Sequence, residues 1–114
     1  MSRILNIFIS QPMHGLHTEE IHYQRMAIVE TFKDWLARRV PDISGVKVVN
    51  HIERANAPKN AGLLWFLGQA IADMEKADLV IFAEGYSSAN RCLAERRVAE
   101  LYCIPFIDER DLWH

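Results

Sequence analysis

Four short apolar runs alternate with segments of helical periodicity, and this alternation restricts the fold more than anything else in the chain. The runs are ILNIFIS (4–10), GVKVVN (45–50), DLVIFA (78–83) and IPFI (104–107). The first and third have little polar interruption, which suits strands covered on both faces. Between the first two, Ile21, Arg25, Ile28, Phe32 and Leu36 recur at helical spacing, with Val29 beside them. Thr18 followed by Glu19 and Glu20 predicts the start of that helix, with the hydroxyl as cap and acids at the positive end of the dipole. Arg38 and Arg39 predict its last turn and Pro41 its stop. Leu64, Leu67, Ile71 and Met74 define a second helix ending near Lys76, after a polar loop, HIERANAPKNAG (51–62). Ala94, Val98 and Leu101 are expected to mark the buried face of a third. Pro105 cannot donate to a ladder, so it suits the start of the last strand or an edge. DERDLWH is read as a short tail.

The order β-α-β-α-β-α-β implies parallel strands joined by right-handed crossovers. The expected architecture is a three-layer α/β/α sandwich with a parallel sheet in order 2-1-3-4, flavodoxin-like in its winding. A chain of 114 residues, half of them hydrophobic and a quarter charged, is one ordinary domain (1–114) with a core of its own. A net charge of −2 argues against a general nucleic-acid partner. The chain has no run of about 18 apolar residues to span a membrane. No cleavable leader is read at the N-terminus either, so a cytoplasmic protein is expected. Cys92 and Cys103 both read as helical; on one helix they would stand about 16 Å apart, too far to bridge, and free thiols are expected.

Ligands of open parallel sheets bind at the carboxyl ends of the strands, where the strand order reverses. Here that point lies between strands 1 and 3, whose following loops are SQPMHG and EGYSSANRC. The position selects Ser10, Gln11, Met13, Gly15, Gly85, Tyr86, Ser87, Ser88, Asn90 and Glu95. The second loop leads into a helix N-terminus, where free N–H groups favour an anion, and Arg91 adds charge there. Two simpler roles compete: Ser87 or Ser88 as an ordinary helix cap, and Glu95 as an i, i+4 surface partner of Arg91. Otherwise Glu95 faces the strand-end cleft, where a carboxylate can attack an anomeric carbon. His14, His17 and His22 lack metal-ligand spacing, and no metal or cofactor is expected. Trp65 and Phe66 make the second helix apolar nearly all round, which suits core or a dimer interface better than ligand stacking.

IFISQPMHGLHTEEI, LLWFLGQAI, ADLVIFAEGY and CLAERRVAELYCIPFI occur in that order. Together they resemble small, often phage-borne proteins similar to nucleoside 2-deoxyribosyltransferases. The resemblance covers most of the chain and is weakest across 37–58. It implies a flavodoxin-like fold, action on N-glycosidic bonds by base exchange or hydrolysis, and a homodimer or larger homo-oligomer. It implies that Glu95, four residues before Ala99, is the nucleophile. It also implies that Ser10 to Gly15 contact the base, and the loop after strand 3 the ribose or phosphate. Related hydrolases keep an aspartate eight residues before the Asp of the Ala-Asp pair; counting back from Asp78 gives Ala70, with Asp73 nearby as the candidate acid. Their Ser-x-Gly ahead of the nucleophile reads Ala89-Asn90-Arg91 here, and base-exchanging enzymes have longer chains. These departures support an alternative: a catalytically inactive nucleotide-binding or nucleotide-sequestering protein of phage origin.

Overall fold

A computed structural model describes residues 3–52, 54 and 56–113. Met1 and Ser2 at the start, Glu53 and Ala55 in the expected polar loop, and His114 in the tail lie outside the described residues. Four parallel strands, β1 (Arg3–Ser10), β2 (Ile43–Val48), β3 (Leu79–Phe82) and β4 (Phe106–Asp108), form one sheet in the order β2-β1-β3-β4. Three helices connect them: α1 (Thr18–Arg39), α2 (Leu63–Met74) and α3 (Asn90–Leu101). The expected α/β topology and strand order are those observed.

Strand alternation divides the core into two layers. Ile7, Ile9, Ile81 and Ala83 face α1, where Ile28, Phe32 and Leu36 cover them. Phe8, Val80 and Phe82 face the other side, against Ala70 and Met74 of α2 and Ala99 of α3. The α1 stripe is the one expected, Ile21, Arg25, Ile28, Phe32 and Leu36. Its cap differs: His17 occupies the cap position and Thr18 is the first helical residue. The Glu20 carboxylate accepts from the His17 backbone N–H at 3.3 Å, so the acid of the first turn satisfies the backbone donor at the cap.

Elsewhere the buried faces are rotated from expectation. On α3 they are Cys92, Glu95 and Ala99, and Leu101 is 60% exposed. The sequence offers two helical stripes of similar polarity, and contact with the sheet selects the one that carries the glutamate. On α2 the buried residues are Ala70, Asp73 and Met74, while Leu63 and Leu64 stand 89% and 80% exposed. Residues 109–113 are more than a tail: they form a 3₁₀ turn that buries Leu112 in the α1 layer. Cys103 is not helical; it follows α3 with φ 56°, and both cysteines are free thiols. No helix among the described residues is long and apolar enough to cross a membrane.

Two glycines make opposite predictions. Gly85 opens the turn after β3 at φ 84°, where an L side chain is strained although its Cβ would meet nothing closer than Pro12 at 3.9 Å. Gly68 lies inside α2 with open space around it. Gly85→Ala is expected to cost about 1 kcal/mol, and Gly68→Ala to add about 0.5–1 kcal/mol, both measured by urea unfolding. Equal signs would refute the backbone argument.

Candidate active site

The site begins where β1 ends. Ser10 and Gln11 are consecutive, so the pleat sends their side chains to opposite faces. Ser10 faces α3, and its hydroxyl donates to Glu95 Oε1 at 2.6 Å. Gln11 faces α1, accepts from Arg25 Nε at 2.6 Å and donates to the Ile21 carbonyl at 3.3 Å. Both residues are fully buried. One strand end therefore couples a carboxylate on one side of the sheet to a guanidinium on the other.

Arg25 binds three acceptors. Besides Gln11, it donates to the carbonyls of Asn50 at 2.6 Å and Ile9 at 3.4 Å. Asn50 continues the ladder beyond β2 with its side chain. Its Oδ1 accepts from Ile9 N–H at 3.0 Å, and its Nδ2 donates to the Ile9 carbonyl at 2.8 Å. β1 and β2 thus stay joined where their backbones separate, and the loop after β2 leaves from a defined point.

That loop supplies one wall of a cavity over Glu95, through Asn50, His51, Ile52 and Arg54. Phe66 and Ala70 of α2 form a second wall, Met13 caps it, and α3 contributes Arg91 and Glu95. The cavity measures about 30 Å³, room for a water molecule or two. Arg91 crosses it. Its Nη2 donates to the Gln11 carbonyl at 3.2 Å, and its Nε lies 3.8 Å from Glu95 Oε2.

Burial dominates the electrostatics. Glu95 is only 1% exposed, and loss of hydration pushes its carboxyl above the ordinary range. The Ser10 hydrogen bond works against that rise, followed by the charges of Arg91, Arg25 and Arg54. Burial also lowers Arg25 to about 10, with Arg91 adding to the decrease and Glu95 opposing it. Cys92 is buried beside this group, and its thiol is likewise pushed up by burial. Together these groups form a desolvated carboxylate held by one short hydrogen bond and surrounded by cations. That arrangement suits attack on, or stabilisation of, an electron-poor carbon.

Most of the residues expected from the sequence fall into two places. Met13, Arg91 and Glu95 line the cavity, and Ser10 and Gln11 lie behind it, bonded to Glu95 and Arg91. Gly85, Tyr86 and Ser87 line a separate cleft of about 190 Å³, beside Asp108 and Glu109 at the ends of β3 and β4. Tyr86 packs on Phe82 and helps hold the Arg96 guanidinium, which lies 4.8 Å from its ring centroid. Ser88 is exposed and donates to the Gly85 carbonyl, and Asn90 is exposed at the start of α3. Neither serine caps α3; Ala89 holds that position. Gly15 is exposed with φ 80°, and a Cβ placed there would meet no atom within 4 Å. Asp73 does not line the cavity. It binds Arg54 at 2.7 Å and Lys76 at 3.8 Å.

Arg25, Asn50, His51, Arg54 and Phe66 were not anticipated at the site. Arg25 did carry a signal, as a charge inside an otherwise apolar stripe. Asn50 and Arg54 carried a weaker one, since the order 2-1-3-4 places the end of strand 2 beside the end of strand 1. Among the described residues, no three His, Cys, Asp or Glu side chains form a metal-ligating group.

No protein-family model, curated protein or solved structure matches this chain.

Proposed function

We propose that the protein cleaves the N-glycosidic bond of a nucleoside or nucleotide, by hydrolysis or base exchange, with Glu95 as nucleophile. One observation carries this reading. The Glu95 carboxylate is buried at the floor of the strand-end cavity, oriented by Ser10 at 2.6 Å and flanked by Arg91. In the proposed reaction a Glu95 oxygen bonds to C1′ of the sugar. The electrons of the C1′–N bond leave with the base, which takes up a proton. Water, or a second base, then displaces the carboxylate from C1′. Asp73 can serve as the proton donor only by leaving Arg54. His51 already lines the cavity, and its imidazole is a second candidate for the donor. The same reading includes a homodimer or larger assembly, for which the exposed Leu63 and Leu64 of α2 offer an apolar contact.

A second reading keeps the ligand and omits the turnover. It is favoured by the small cavity, by Arg91 in its lining, and by Ala70 in its wall where the hydrolases it resembles keep an aspartate. Chromatography of long incubations with a panel of ribo- and deoxyribonucleosides and their phosphates separates the two. Free base appearing in proportion to enzyme supports cleavage. Saturable binding by calorimetry with no base released supports sequestration and rejects cleavage.

A further inference from the structure

We infer that Arg91 is a specificity-determining residue: its side chain shuts the cleft over Glu95 against neutral ligands and yields to a phosphate group. For the organic part of the ligand this rests on the nucleotide reading above; for the anion it does not.

The first ground is volume. A cavity of about 30 Å³ is far below the roughly 300 Å³ at which small-molecule pockets begin. A nucleoside cannot enter unless a wall moves. The second ground is which wall can move. Three arginines influence Glu95. Arg25 is buried and bonded at 2.6 Å to both Gln11 and Asn50. Arg54 is bound to the Asp73 carboxylate at 2.7 Å. Arg91 has only a 3.2 Å hydrogen bond to a neutral carbonyl and a 3.8 Å approach to Glu95. Its side chain is also one-third exposed, so an anion from solution can reach it. Of the three arginines, Arg91 therefore gives up least on moving.

The third ground is what the ligand offers in exchange. A phosphate can take a guanidinium in a charge-assisted, two-pronged contact stronger than either bond Arg91 now makes. A neutral nucleoside offers no such replacement. It must displace Arg91 without compensation and leave Glu95 with one cation fewer. The latch thus discriminates by charge before the base is contacted.

The test has two arms. In the first, calorimetry compares a nucleoside with its 5′-monophosphate on the wild type and on Arg91→Ala. Wild type is expected to prefer the monophosphate by about tenfold or more. Arg91→Ala is expected to reduce that ratio to about threefold or less, with part of the change arising from tighter nucleoside binding. A ratio unchanged by the substitution overturns the inference. In the second arm, inorganic phosphate is titrated against the arginine Nε–H resonances, with that of Arg91 assigned through Arg91→Ala. A saturable shift of the Arg91 signal is expected, and its absence overturns the latch. If phosphate moves Arg91 but no nucleoside or nucleotide binds, the latch stands and the nucleotide reading falls. If nucleotides bind while Arg91 stays still, the reverse holds.

Discussion

Glu95→Gln is expected to abolish base release, lowering the rate by about a thousandfold or more, while leaving the fold intact. Glutamine is nearly isosteric, and its side-chain oxygen can keep the 2.6 Å hydrogen bond from Ser10. The substitution removes the carboxylate that the proposed reaction uses as nucleophile, without opening a cavity. The same variant should show altered pH dependence of stability. Burial raises the Glu95 carboxyl in the folded protein above its ordinary value of 4.5. Folding therefore favours the protonated form. Its contribution to stability is complete below the unfolded value and is lost as pH rises through the raised folded value. Wild type should lose stability across that window, and Glu95→Gln should lack this component. Melting temperatures measured from acid to neutral pH check it: the variant should gain on the wild type as pH rises. Parallel curves would mean that Glu95 is hydrated and paired, not buried as described. Normal base release by the variant would reject Glu95 as nucleophile whatever the melting curves show.

Arg25→Met is expected to cost about 3 kcal/mol, a fall of roughly 10 °C in melting temperature. Methionine fills much of the volume but leaves three acceptors behind: Gln11 Oε1 and the carbonyls of Asn50 and Ile9. These are buried, so water cannot readily replace the guanidinium. Arg25→Lys should recover part of the loss, because an ammonium keeps the charge but cannot span the three acceptors with a planar fork. Arg25 also helps to hold down the Glu95 carboxyl. The acid-to-neutral stability change attributed to Glu95 should therefore be larger in Arg25→Met than in wild type. A loss below about 1 kcal/mol would place Arg25 among ordinary surface arginines.

Much of the architecture was legible because it depends on periodicities. Ile7, Phe8 and Ile9 read as a two-faced strand from composition alone, and the structure gives the odd residues to α1 and the even one to α2 and α3. The α1 stripe was legible for the same reason, since five positions repeat with one helical phase. α3 was not. With few apolar residues it supports two phases about 100° apart, and no local preference separates Ala94 and Val98 from Cys92 and Ala99. Leu112 was missed because a five-residue turn has too little pattern to reveal a core contact.

The candidate site divides along a similar line. Strand order places the ends of β1 and β3 at the reversal, and that reasoning reaches Ser10, Gln11 and Glu95. It could not tell that the segment after β3 divides, with Arg91 of α3 lining the cavity and Tyr86 in a second cleft with Asp108 and Glu109. Nor could it join Arg25 to Asn50, or Arg54 to Asp73. Those pairs lie 25 and 19 residues apart, and only folding brings them within reach.

By itself the sequence determined the class of fold, the parallel order of its strands and the end of the sheet where chemistry can occur. Hydrophobic periodicity is a local property that acts before any distant contact forms, and the right-handed crossover is a rule common to parallel sheets. Only the tertiary structure decided that Glu95 lies inward, that Ser10 holds it, and that Arg91 joins it in lining one cavity. Burial and ion pairing belong to the neighbourhood of a residue, and that neighbourhood is assembled from segments distant along the chain.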